Sequence, residues 1–600
     1  MTGNKVEALV RWINKNAFWR QELQVKESKF GGLGVFVPDL SVLDDDPLLL
    51  RIPKSNLLNA KTSSIYNLLF DYEWENVDIS QGMFGLIITV IYEASFSHDS
   101  PWYDYLQSID FESSFIPICL WSDDDKLNLR NTQVDLLNLL DATELLEFYH
   151  ECKRFAKTNH ATVPMPQVLQ DEDSSSLLKF SKYVTSVTSR SFTIDNYFEL
   201  SLAPAADLFN HLSPIMKNGN VVPQENIHFV CDGAVCDICG EQECDHEDED
   251  EDDAEHEDED GVEDEDDVEH EDDVEHEHEH EHEDMAGNQM EQNEDNGAVS
   301  NDGIDYLEDN DLSDIDEITM EYIHKMEQDA EEDSETDTIV ESEEESTVEN
   351  LHENDKETEP IDDELAKELS DSSKCCDVVL MRPPSEEHGF EIFNSYGNEL
   401  SNVELLQRYG FTCPGNPNDS CLLSVQAYKY IKYAKSKLSG DKGKQLEERL
   451  NWFEETGFDL INEIVVQSSH NHHHHDDNHD DDEDCCSDVS VPETWQLAVK
   501  VNYDGTVSTQ TYALINIINL SHKLFKHKLL ALKKTRLHKT IKELLIDPED
   551  KQMVKKWCQD RLSRYTELIP SEHQELIEQI IKQEKDILRR FIESQSETPV

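Results

Sequence analysis

Pro204-Ala-Ala-Asp-Leu-Phe-Asn-His211 closes a long folded stretch with an amide and an imidazole side by side. Taken alone, such a pair caps a helix or packs in a core. Its neighbours along the chain give it weight. Ser189-Arg-Ser-Phe192 precedes it. Gly31-Gly-Leu-Gly-Val-Phe-Val37, near the start, reads as a glycine turn feeding a short strand. After a long polar interval come Glu391-Ile-Phe-Asn-Ser-Tyr-Gly397 and Ser401-Asn-Val-Glu-Leu-Leu-Gln-Arg-Tyr-Gly-Phe411. A glycine pair before a strand is usually only a turn, and Tyr-Gly-Phe is common. The information lies in their order.

The charge is unevenly spread. The chain of 600 residues has 133 Asp and Glu against 49 Lys and Arg, a formal net charge of −84. Residues 241–370 hold 62 of the acids and 3 of the bases. The rest is a mildly acidic composition with enough aromatic and aliphatic side chains for a core, which excludes a wholly disordered chain. Nucleic acid, DNA included, is excluded as the main partner, because phosphate binding needs a net basic surface. A basic protein partner fits the charge. Met83–Tyr92, the longest apolar stretch, is too short and mixed to cross a bilayer. The first residues have no secretory signal pattern. The expectation is a protein of the cytoplasm, the nucleus or both, without membrane contact. Thirteen cysteines, an odd number, do not suggest a disulfide framework.

Apolar runs and turn signals place a folded region at 1–230, mostly helical over about 61–190. Leu48-Leu-Leu-Arg-Ile52 reads as a strand stopped by Pro53. Residues 245–373 are Glu, Asp and His in low-complexity alternation, and are expected to be disordered. Folded character resumes with Val378-Val-Leu-Met381 and runs over 378–425. Residues 426–600 read as mostly helical, interrupted by an acidic, His-rich loop at 470–486. Asp504-Gly505, between Trp495–Val501 and Thr506–Tyr512, predicts a hairpin.

Read in order, these segments resemble SET-domain protein-lysine methyltransferases. Within them they are most similar to the branch of the Rubisco large-subunit methyltransferase and the fungal ribosomal-protein lysine methyltransferases. Arg51-Ile-Pro-Lys-Ser55 and Ser100-Pro-Trp-Tyr-Asp-Tyr-Leu106 add to the likeness, which covers roughly 1–230 and 378–425. The resemblance implies an α+β fold: small β-sheets tied by a pseudoknot, a helical insertion, and a helical substrate-binding-like domain after the long acidic insert. It implies S-adenosylmethionine as cofactor. On the matching positions, Gly32, Leu33 and Gly34 bring backbone close to that cofactor, and Asn210 and His211 hold its adenine and amino-acid parts. Arg190 lies near it. Tyr409, also a cofactor contact, faces the methyl and the amine, and Tyr396 walls the site, so these two tyrosines are the catalytic candidates. Asn402 braces the crossing of chain segments. Two positions depart from the pattern: Cys421 stands where an aromatic often follows the catalytic tyrosine, and Asn226 or His228 where a tyrosine often follows the Asn-His pair. Both changes are expected to reshape the lysine pocket, and the degree of methylation is left open.

The chemistry accounts for the residue types. Methyl transfer from a sulfonium is an in-line displacement that needs positioning and a neutral amine, with no metal or protein nucleophile. Lysine ordinarily holds its proton up to about pH 10.4, and a desolvating channel beside a cation helps remove it. The implied substrate is a basic ribosomal protein, with cytochrome c or a translation factor as alternatives. The rival reading is a non-catalytic SET-fold module whose acidic insert acts as a chaperone-like sink for basic proteins. Asn210, His211 and Tyr409 together favour the enzyme, because a binding module has no need of all three. Separately, Cys236, Cys239, Cys244 and His246 offer a zinc-like ligand set near Cys231, against which stands a set of free thiols on a loop.

Overall fold

The computed structural model describes residues 2–38, 40–43, 46–170, 174–231, 235–236, 238–240, 244, 363–438, 440–470, 495–531, 534–546 and 551–595. Two compact units divide the chain, one of 1–243 with 314–600 and one of 244–313. Only Cys244 of the second is among the described residues. Most of the expected disordered segment and most of the His-rich loop lie outside them.

Thirteen short strands occur among the described residues. In chain order they are β1 (Phe18–Trp19), β2 (Gln24–Glu27), β3 (Leu33–Phe36), β4 (Leu48–Pro53), β5 (Ser191–Thr193), β6 (Leu200–Leu202), β7 (Ile215–Lys217), β8 (Asn220–Val222), β9 (Ile227–Cys231), β10 (Cys375–Leu380), β11 (Glu391–Ile392), β12 (Ser420–Leu422) and β13 (Lys500–Asn502). They form one four-stranded sheet, β1-β4-β10-β9, one three-stranded sheet, β11-β3-β2, and three pairs, β12-β13, β5-β6 and β7-β8. All the pairings are antiparallel. The fold is thus α+β, with helices filling the interval between β4 and β5 and most of the chain after β12.

β4 is central because Leu49, Leu50 and Ile52 are fully buried. Pro53 ends it at a position where the missing donor is tolerated. Arg51 lies opposite Asp377 of β10 and grips it with two bonds, Nε to Oδ1 at 2.7 Å and Nη2 to Oδ2 at 2.6 Å. Such a fork-to-fork pair is geometrically demanding and fixes the register.

Three expectations need correction here. First, order resumes before Val378. Asp363–Leu369 is a helix and β10 starts at Cys375. Leu365 is buried, and the Leu369 carbonyl accepts from Arg51 Nη1 at 3.1 Å. Buried Leu365 and the Arg51 bond to the Leu369 carbonyl anchor this end of an otherwise polar segment. Second, among the described residues Cys231 and Cys376 form a disulfide. The two residues face each other on β9 and β10, so the chain leaves and re-enters the sheet at linked positions. Third, the Asp504-Gly505 turn forms, with Asn502 N donating to Thr506 O at 2.8 Å. Its second arm is short: Val507 bridges Val501 antiparallel, Ser508 then caps the helix Thr509–Asn519, and β13 also pairs with β12.

The last long helix, Gln574–Ser594, buries Ile577, Ile580 and Ile581 against Ile118, Trp121, Leu129 and Val134 of the insertion and against Val403 and Leu406. Each such aliphatic is worth about 1.5–3 kcal/mol when fully buried. Trp121 stacks on His573 with ring centroids 3.9 Å apart. The C-terminal helices are therefore packed onto the sheet-bearing part. No helix among the described residues is long and apolar enough to cross a membrane.

Candidate active site

The turn between β2 and β3 holds Gly31 and Gly32 at φ of +112° and +61°, a region that favours glycine. Gly34, inside β3, is needed for a different reason. A Cβ there would lie 2.4 Å from Glu391 Oε1 and 3.0 Å from Asn210 Nδ2. Asn210 sits where two distant segments run side by side. Its carbonyl accepts from Asn394 N at 2.9 Å, and Leu212 N donates to Asn394 O at 3.1 Å. This parallel bridge, His211 with Asn394, ties the Asn-His segment to the segment after β11. The Asn210 amide donates to Leu33 O at 3.1 Å and to Glu391 Oε1 at 2.9 Å.

His211 is buried next to it. Its Nδ1 accepts from Tyr396 N at 3.0 Å, which leaves the ring proton on Nε2 to be donated to Ser213 Oγ at 2.9 Å. Burial lowers its proton affinity, with a pKa of about 4. His211 is therefore a neutral, singly oriented ring at neutral pH, holding the Tyr396 backbone.

Tyr409 ends the helix Asn402–Tyr409. That helix is short but capped at both ends: Ser401 and Glu404 form a reciprocal capping box, and Gly410 closes it in the left-handed region. A Cβ on Gly410 would collide with the Phe115 ring of the insertion. The Tyr409 ring is thereby stacked on Tyr396, centroids 4.5 Å apart, and its hydroxyl donates to the Tyr396 carbonyl at 3.4 Å. The His211 ring lies 5.2 Å from Tyr396 and 6.1 Å from Phe411. Burial pushes the Tyr396 phenol up, so it remains protonated and can donate.

Arg190 approaches Asp207, with Nε 3.6 Å from Oδ2, and Tyr105 donates its hydroxyl to the same oxygen at 3.1 Å. The Asp207 carboxyl is driven up by burial despite Arg190, and Oδ1 has no partner among the described residues. Both charges act on the Tyr396 phenol.

The structure thus brings the sequence candidates into two adjoining groups: Leu33, Gly34 and Asn210, and His211, Tyr396 and Tyr409 with Arg190 beside Tyr396. Gly32 serves the turn, and a Cβ there would meet nothing within 4 Å. Asn402 braces a different place from the one expected. It donates to Asp419 and to Cys413 O, and so holds the loop after its own helix. Cys421 lies on β12, buried near Tyr565. Asn226 accepts from Phe393 N through Oδ1 and is a backbone clip, while His228 pairs across the sheet with Val379. Cys231 is removed from any ligand set by its disulfide. Cys236 and Cys239 are half-buried, and His246 lies outside the described residues. Sequence reading missed Glu391, Tyr105 and the part Asp207 plays. Their only signal was a charged or hydroxylated side chain inside an otherwise apolar run.

No family model matches the chain. It is 26% identical over 534 residues to "Ribosomal lysine N-methyltransferase 3" of Saccharomyces cerevisiae, covering 84% of this chain and 80% of that one. The similarity is thus to a lysine N-methyltransferase, over most of both chains. The donor that the sequence motifs imply is S-adenosylmethionine. An uncharacterized protein of Schizosaccharomyces pombe is 28% identical over 226 residues, 35% of this chain and 44% of its own length. Among solved structures, the SET domain of LSMT bound to lysine and AdoHcy is similar at a TM-score of 0.45, with 12% identity, over 99% of this chain and 91% of that one. The residues present suit the donor: a strand with no side chain at Gly34, an oriented amide at Asn210, and a buried carboxylate oxygen on Glu391 without a partner among the described residues.

Proposed function

We propose that this methyltransferase modifies a lysine of a ribosomal protein. The observation that carries the reading is the similarity to the ribosomal lysine methyltransferase, which covers 84% of this chain and 80% of that one. The formal net charge of −84 supports it, because a strongly acidic enzyme attracts a basic substrate. Ribosomal proteins are met in the cytoplasm and the nucleus, where we propose that the chain acts.

When bound, S-adenosylmethionine supplies an electrophilic methyl. The chain's own residues do the positioning. Leu33, Gly34 and Asn210 hold the donor, and His211 fixes the Tyr396 backbone as a neutral ring. Tyr396 and Tyr409 stack to wall a slot that sheds water from the incoming amine, which favours its neutral form. The Tyr409 hydroxyl orients the amine lone pair. A protonated Tyr396 acts there as a hydrogen-bond donor, not as a base.

The test is to incubate the purified full chain with methyl-labelled S-adenosylmethionine and, in parallel, ribosomal subunits, ribosome-free cytosol and cytochrome c. Label on a lysine of a ribosomal protein is expected. Label confined to cytosolic proteins or cytochrome c would replace the proposed substrate class.

A further inference from the structure

We infer that Glu391 is the counter-charge for the α-ammonium of the methyl donor. This rests on the cofactor assignment above and goes beyond the residues assigned there.

Glu391 is fully buried on β11. It lies directly opposite Phe36 of β3, so it shares a sheet face with Phe36 and Gly34, while Ile392 and Val35 turn to the core on the other face. Its Oε1 accepts from the Asn210 amide at 2.9 Å. Its Oε2 is buried and has no hydrogen-bond partner among the described residues. No ion pair to Glu391 is found among them either. A carboxylate removed from water needs a cation and saturated hydrogen bonding; one neutral amide on one oxygen supplies neither. The absence of a side chain on Gly34 is what leaves room for this carboxyl, since a Cβ would fall 2.4 Å from Oε1. The fold therefore maintains an uncompensated carboxyl beside the residues that hold the donor.

The donor carries two cationic groups, a sulfonium and an α-ammonium. A carboxylate against the sulfonium would stabilise the ground state more than the transition state, in which that charge disperses, and would slow transfer. The α-ammonium keeps its charge throughout, so a carboxylate there strengthens binding without opposing the reaction. The sulfonium belongs instead with Tyr409 and Tyr396, further along the same chain segment.

The experiment is calorimetric titration of the full chain and of Glu391→Gln, which keeps the shape and the acceptor for Asn210 but removes the charge. The probes are S-adenosylhomocysteine, S-adenosylmethionine, 5′-methylthioadenosine, and S-adenosylhomocysteine lacking its α-amine. The expected result is a loss of about tenfold or more for the first two, equal in size. The two probes without an α-ammonium bind the variant and the parent alike. Unchanged affinity for S-adenosylhomocysteine, an equal loss for all four probes, or a loss much larger for S-adenosylmethionine would each overturn the assignment. If Glu391→Gln does not fold, the parent chain alone decides: equal affinity with and without the α-amine overturns it, and a tenfold difference supports it. A parent chain that binds none of the four would instead overturn the cofactor reading, and the inference with it.

Discussion

Two buried carboxylates in this molecule have opposite surroundings. Glu584, on the last helix, uses both oxygens: Oε2 meets Arg561 Nη2 at 3.0 Å and the Tyr565 hydroxyl, and Oε1 accepts from Gln133 N at 2.7 Å. Glu391 has one neutral amide on one oxygen and nothing described on the other. On the carboxylate the first network is closed, though Arg561 Nε is left without a partner among the described residues, and it joins a C-terminal helix to the insertion. The second is open and lies beside Gly34 and Asn210. A saturated buried charge holds elements together, whereas an unsaturated one is the mark of a ligand site.

Breaking the closed network should cost the most. Arg561→Met leaves Glu584 buried without its cation, and a destabilisation of about 3–5 kcal/mol is expected in urea unfolding. Activity per folded molecule should be unchanged. Adding Glu584→Gln to the same chain should recover part of the loss, because removing both charges is far cheaper than removing one. A double variant no more stable than the single one would mean that the pair is not what matters.

Tyr409→Phe probes the other region. The ring stays in its stack on Tyr396, and only the hydroxyl is lost. By analogy with a removed oxyanion-hole donor, about 2.7–4 kcal/mol of transition-state stabilisation should go, a rate drop on the order of a hundredfold or more. Unfolding stability and donor affinity should hold. Single-turnover rates with mass spectrometry of the product measure this. A normal rate and product pattern would shift the role to Tyr396.

A smaller effect follows from His211. Its folded-state pKa, about 4, lies below the ordinary 6.5. Between those values the unfolded chain takes up a proton that the folded chain refuses. The His211 contribution to stability is thus complete above about pH 6.5 and falls as the pH drops toward 4, by on the order of 3 kcal/mol in all. Urea unfolding against pH, for the parent and His211→Asn, isolates it. Parallel curves across that window would show that His211 does not stay neutral in the fold.

What was legible in the sequence was whatever lies in short ordered motifs. The glycine turn before β3, the β4 strand ended by Pro53, the Asn-His pair and the Tyr-Gly-Phe turn all read locally, and the structure brings them together. Pairings set by distance in space did not read. Cys231 and Cys376 meet only because β9 and β10 are neighbours. Arg561 and Glu584 lie on separate helices within a strongly helical tail that looks amphipathic throughout. Glu391 could have been an exposed edge residue, since nothing local says that Gly34 makes room for it. Nor did the burial of Cys421 near Tyr565 read locally, since Tyr565 lies far along the chain. The hydrogen bonds of Asn402 to Cys413 and Asp419, which tie the following loop back to its helix, did not read either.

The central claim is that Asn210, on the Gly34 side, and Tyr409, on the Tyr396 side, serve one methyl-transfer site. It is tested most directly by intact-mass spectrometry of a lysine-bearing ribosomal protein after incubation with S-adenosylmethionine and the parent chain, Asn210→Ala or Tyr409→Phe, each first titrated with S-adenosylhomocysteine. The account predicts a gain of about one methyl or more on lysine with the parent. Asn210→Ala should lose both ligand binding and transfer, and Tyr409→Phe should bind normally but transfer slowly. Undiminished binding and transfer by Asn210→Ala would contradict it.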